Sequence, residues 1–176
     1  MTPEYPASYI AYLVEFHATR DYFECHELLE EYWKEHPHDG LGALWVGLIQ
    51  VAVGSYHERR GNRRGALMMY KQALSRLTHA LLEKAGLQGE TITAELAARA
   101  DRLSAGESGT FADMNLAIAD ERLLRLCLKL CEERGVVWGQ PSDMGDEQLV
   151  HRHTLRDRSG VIAARAQAAA QRKRPE

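Results

Sequence analysis

Residues 41–56 read Leu41-Gly42-Ala43-Leu44-Trp45-Val46-Gly47-Leu48-Ile49-Gln50-Val51-Ala52-Val53-Gly54-Ser55-Tyr56, with Gln50 and Ser55 the only strongly polar members. A helix apolar on nearly all sides cannot lie on a surface, so this one belongs at the centre of a bundle. Gly47 and Gly54 each cost about 1 kcal/mol inside a helix relative to alanine. Close approach of a neighbouring helix is what offsets that cost. Gln50 and His57, seven residues apart, lie almost on one line of this helix with Val53 and Gly54 between them. A buried amide or imidazole without a partner costs about 1–3 kcal/mol, so the rest of the chain must supply partners.

On either side, apolar residues recur at intervals of three and four. Tyr9, Leu13 and Phe16 form one stripe, Tyr22, Cys25, Leu29, Tyr32 and Trp33 a second, and Ala66, Tyr70, Ala73, Leu74, Leu77 and Leu81 a third. No segment is read as alternating like a strand. Asp21 caps the second helix, Pro37 and Gly40 break the chain before the third, Gly61 closes the third, and Asn62 caps the fourth. These signals predict helices near 5–18, 22–35, 42–60, 63–85, 90–104 and 112–134. A loop falls over 103–110, and 135–145 leaves the last helix. No internal repeat is present. The expectation is an all-α, single-domain helical bundle of about five to six helices around the apolar helix at about 42–60.

The chain has 176 residues, 45% hydrophobic and 27% charged, which places it in the ordinary globular class and excludes collagen-like and disulfide-scaffold classes. A chain of this length buries roughly 70% of its unfolded surface, enough for one core. The net charge of −3 conceals a split: residues 1–150 hold 15 Lys and Arg against 23 Asp and Glu, and residues 151–176 hold 7 against 2. The bundle is therefore assigned to 1–150. The remaining 151–176 form a basic tail with almost no large apolar side chain after Ile162, too little to offset its ordering entropy. No stretch approaches the roughly 18 apolar residues of a membrane span, and Met1-Thr2-Pro3-Glu4-Tyr5-Pro6 lacks the regions of a signal peptide. A cytoplasmic protein with no membrane partner is expected. Cys25, Cys127 and Cys131, an odd number, fit buried thiols.

The partners for Gln50 are sought in Phe23-Glu24-Cys25-His26-Glu27-Leu28-Leu29-Glu30-Glu31-Tyr32-Trp33. His26 and Glu30, one turn apart, share a face, and Glu27 stands at its edge. The short link 35–41 makes helices two and three an antiparallel hairpin. At 1.5 Å per residue, His26 lies roughly 13 Å before the turn and Gln50 roughly 12 Å after it, so the two are level. His57 lies roughly 10 Å deeper.

The string 22–33, followed by Gly47-Leu48-Ile49-Gln50-Val51-Ala52, His57 and Gly61-Asn62-Arg63-Arg64-Gly65-Ala66, resembles the signature of the uncharacterised family called domain of unknown function 309, over about residues 13–82. The resemblance implies an all-α fold found in prokaryotic and some plant proteins. It implies no activity. Gly61, Asn62, Gly65 and Ala66 form the structural corner of that pattern.

Three readings compete for the polar cluster of His26, Glu27, Glu30, Trp33, Gln50 and His57. In the structural reading, the carboxylates fix the His26 tautomer and the imidazole or Trp33 indole bonds to Gln50. Function is then left to the surface of a module that binds a small molecule or a protein. In the metal reading, His26 and Glu30, with Glu27 and, given helix tilt, His57, hold a divalent transition metal in a hydrolase-like enzyme. A zinc-protease helix would place a second histidine where Glu30 stands. In the third, His26 tuned by Glu30 is metal-free acid–base machinery. A further alternative is weak nucleic-acid binding through Arg59, Arg60, Arg63 and Arg64, at a helix N-terminus, and through the basic tail. Phosphate loops, nucleophile elbows and dinucleotide fingerprints are absent. The sequence leaves the oligomeric state open.

Overall fold

The computed structural model describes residues 4–107 and 109–152. Among the described residues it is all-helical apart from one isolated antiparallel bridge between Leu87 and Ile118. The helices are α1 (Ala7–Val14), α2 (Tyr22–Glu35), α3 (Gly42–Arg59), α4 (Arg63–Arg76), α5 (His79–Lys84), α6 (Gly89–Ser104), α7 (Glu121–Arg134) and α8 (Glu147–Val150), with a π-helical turn over Glu15–Thr19 after α1. The chain divides between Ser142 and Asp143 into two units. The second begins with the short α8, capped by Asp146 through the Leu149 N–H. The charged tail from residue 153 onward lies outside the described residues. No described helix is long and apolar enough to cross a membrane.

Within the first unit α3 is central, flanked by α2 and α4; α1 packs on α2 and α7, and α6 packs on α4. Leu44, Trp45, Leu48, Val51, Ala52 and Tyr56 are all buried, as an all-round apolar helix requires. The two helical glycines do admit a neighbour. A Cβ on Gly47 would lie 2.5 Å from the Leu77 side chain, and one on Gly54 would lie 2.7 Å from the Tyr70 ring. Tyr70 cannot retreat, because its hydroxyl donates to Glu58 Oε1 at 2.8 Å. Gly54→Ala is therefore expected to lower the unfolding free energy by about 1–3 kcal/mol through overpacking, despite a gain of about 1 kcal/mol in helix propensity. An increased urea midpoint would contradict it.

The local caps decide the helix starts. Asp21 accepts from the Glu24 N–H and Asn62 from the Gly65 N–H, each meeting a donor that the first turn leaves unbonded. Three sequence expectations need correction. The helix expected over 63–85 is two helices: Thr78 is extended and its hydroxyl caps Leu81 N, which turns Leu77 under Gly47. The first helix stops at Val14 and widens into the π-helical turn, which ends in Arg20 with left-handed backbone, φ 57°. The helix expected from 112 begins only at Glu121, capped by Asp120. Residues 113–118 run outside any helix, with Met114 and Leu116 buried. Their backbone groups are taken by distant partners: Arg20 binds the Met114 carbonyl, Leu116 N–H donates to His17, and Gln88 N–H donates to the Ala117 carbonyl. Those bonds leave no i→i−4 ladder.

Candidate functional site

Arginine ordinarily stays at the surface, yet Arg20 is 2% exposed and Arg59 4%. Because an unpaired buried charge is strongly unfavourable, their partners determine how the unit closes. Arg20 donates from Nε to the Gln140 carbonyl (2.8 Å), from one terminal nitrogen to the Met114 carbonyl (3.0 Å), and from the other to Asn115 Oδ1 (2.9 Å). Arg59 donates to the Arg20 carbonyl (2.6 Å) and to Ser142 Oγ (3.0 Å), with its guanidinium 4.5 Å from the centre of the Tyr22 ring. Tyr22 donates to Asp113 (2.6 Å), which also accepts the Ser142 N–H (2.7 Å). Burial pushes the Asp113 carboxyl upward, yet the bonds from Ser142 and Tyr22, with the nearby Arg20 charge, hold it below the ordinary carboxylate range. Burial likewise pushes the Cys25 thiol up, and Cys25, Cys127 and Cys131 are all free and buried.

His17 belongs to the same layer. Its Nδ1 donates to the Leu13 carbonyl (2.7 Å), its Nε2 accepts the Leu116 N–H (2.9 Å), and its ring stacks on Trp138 at 4.3 Å. A carbonyl can only accept and an N–H can only donate, so the imidazole is neutral with its proton on Nδ1. Burial lowers its pKa from 6.5 to about 4, with the Arg20 charge adding to the effect. Beside it, Glu15 pairs with Arg134 at 2.6 Å.

The polar cluster expected from the sequence is distributed differently. Gln50 is buried, but its amide donates to Gln72 Oε1 (2.9 Å) and its oxygen accepts from Arg76 (3.3 Å), both on α4. The expected bond from α2 is not made. His26, at the edge of α2, pairs with Glu30 through Nε2 (2.6 Å) and lies 3.8 Å from Glu27, its side chain 29% exposed. Lys34, 2.8 Å away, is the main influence holding the Glu30 carboxyl below its usual value, and the His26 contact adds to it. Trp33 packs against Gly42. His57 accepts from Arg60 Nε (3.1 Å) beside the corner formed by Gly61 and Asn62, with Gly65 and the buried Ala66 beginning α4. Among the described residues no group of three or more His, Cys, Asp or Glu side chains is placed to hold a metal ion. Gln50→Ala should therefore cost about 1–2 kcal/mol. The half-exposed His26→Ala should cost under about 1 kcal/mol; equal losses in urea titrations would contradict this division.

The four arginines grouped in the sequence also separate. Arg59 faces the interior, Arg60 lies over the Tyr56 ring, Arg63 donates to the Glu107 carbonyl, and Arg64 is exposed. They do not form one outward-facing patch.

A cleft of about 330 Å³ opens where the end of α3, the start of α4 and the end of α6 meet residues 109–112. Its charged lining is Glu58, Arg63, Arg99, Arg102 and Glu107, and its apolar wall includes Leu103 and Phe111. Arg99 is 5% exposed and pairs with Glu58 (3.0 Å) and Glu95 (3.3 Å). Glu58 Oε1 accepts from both Tyr70 and Arg99, and its Oε2 takes no partner among the described residues. The exposed Arg102 side chain also makes no bond or ion pair among them. Sequence reading missed this site. Glu95 and Arg99 are visible as an i,i+4 pair, but Glu58 stands 41 residues from Arg99.

Comparison with known proteins gives two findings. The family described as Domain of unknown function (DUF309) matches residues 9–69, which run from α1 into α4. The chain is also similar to the uncharacterised protein YpuF of Bacillus subtilis (strain 168), with 41% identity over 172 residues, 97% of this chain and 98% of that protein. No solved structure matches the chain.

Proposed function

This chain belongs to the family described as Domain of unknown function (DUF309), and from its own geometry we propose that it is a helical binding module whose cleft takes a small organic anion. The observation that carries the reading is the contrast among its arginines. Arg20, Arg59 and Arg99 are buried and bonded within the fold, whereas Arg102 lines the cleft and pairs with no described residue. A guanidinium is preorganised for bidentate recognition of a carboxylate or phosphate. Leu103 and Phe111 beside it add an apolar wall, and a volume of about 330 Å³ sits at the low end of the roughly 300–1,000 Å³ of small-molecule sites.

The test is a nuclear magnetic resonance titration of the full chain with benzoate and with inorganic phosphate. The expected result is a saturable amide shift confined to the residues around the cleft, 58–63 and 99–112, stronger for benzoate because only it covers Phe111. Arg102→Ala should abolish the shift without moving the urea midpoint, since the residue is exposed. No response to either anion would overturn the reading.

A further inference from the structure

The cleft is electrically polarised from floor to rim, and that polarity defines its ligand more narrowly. At the floor, Arg99 is shared by two carboxylates, Glu58 and Glu95, so the three groups together carry an excess negative charge. The uncommitted acceptor there is Glu58 Oε2. At the rim, Arg63 and Arg102 stand against Glu107, an excess of positive charge, and Arg102 is the group without a described partner. A simple anion would satisfy the rim and leave Glu58 facing it with like charge. A simple cation would do the reverse.

Resting on the reading that this cleft is a ligand site, we infer that it holds a small zwitterion of the free amino-acid class, its ammonium on Glu58 and its carboxylate on Arg102. Three features of the site favour that class. The floor offers an acceptor held rigid by Tyr70 and Arg99, which suits an ammonium donor. The rim offers a forked donor for a carboxylate. Leu103 and Phe111 border the space between them and suit an apolar side chain. The space of about 330 Å³ accommodates one amino acid and not an extended peptide.

Matched ligands test this without relying on a variant that fails to fold. The full chain is titrated, by calorimetry and amide shifts, with L-phenylalanine and L-leucine, with 3-phenylpropionate and phenethylamine, which each lack one charge of phenylalanine, and with adenosine monophosphate. At least one amino acid should bind at least tenfold more tightly than either truncated analogue or the nucleotide. Arg102→Ala should then reduce its affinity at least tenfold while leaving the weak binding of phenethylamine unchanged. Equal affinity for phenylalanine and 3-phenylpropionate would overturn the zwitterion while leaving the organic-anion reading intact. The nucleotide binding more tightly than every amino acid would overturn it in the same way. Silence of both amino acids while benzoate still shifts residues 58–63 and 99–112 would also overturn it, and silence of every ligand, benzoate included, removes both readings.

Discussion

Arg20→Ala is expected to reduce the unfolding free energy by about 3–5 kcal/mol, a large part of the stability of a domain this size. The guanidinium makes three hydrogen bonds, to the Gln140 and Met114 carbonyls and to Asn115. Its removal leaves the buried Met114 carbonyl without its donor, opens a void where the 2% exposed guanidinium packed, and returns the acceptors on the exposed Gln140 and Asn115 to water. Lysine cannot reproduce the fork with a point charge, so Arg20→Lys should recover less than half of the loss. Arg20→Gly separates side chain from backbone: at φ 57° glycine relieves the left-handed strain, and this variant should be about 1 kcal/mol more stable than alanine. Urea unfolding measures all three. Limited proteolysis should show new cleavage within 111–142 in each, and an unaltered midpoint for Arg20→Ala would refute the account.

The second large effect is on acid stability. His17 is neutral in the fold with its pKa lowered to about 4, against 6.5 for an unconstrained imidazole. The unfolded chain therefore binds the proton first as pH falls. The stabilisation is complete above about pH 6.5, declines between 6.5 and 4, and is absent below 4. The two values correspond to about 3 kcal/mol for this buried ring. A proton on Nε2 would also face the Leu116 N–H, a donor against a donor. Urea midpoints measured at intervals from pH 7 to 4 should fall steadily, and His17→Phe should flatten that slope while lowering stability at pH 7. A slope of the same size in the variant would show that other groups cause it.

Most of the helical frame was readable because its determinants are local. Asp21 and Asn62 cap within three residues of themselves, and the all-round apolar run fixes α3 as the centre. What failed was non-local. Leu77 and Leu81 continue the α4 stripe across a break that only Thr78 marks. Met114, Leu116 and Ile118 in fact alternate, a period-two signal hidden by the amphipathic helix that follows. Gln50 was correctly expected to be buried and bonded, but a one-dimensional comparison of heights along α2 could not show that α4 approaches closer. The cleft was invisible for a related reason, since its floor unites Glu58 of α3 with Arg99 of α6.

Every acceptor of Arg20 lies between 94 and 120 positions further along the chain. While the polypeptide is being synthesised, the first four helices emerge with a cation at their junction and nothing yet made to receive it. The stretch shared with the family, 9–69, thus contains Arg20 but none of the three groups that receive its guanidinium. Completion of a nascent chain must wait until roughly residue 142 clears the ribosome, and the last contacts to form are the ones that close the longest loops.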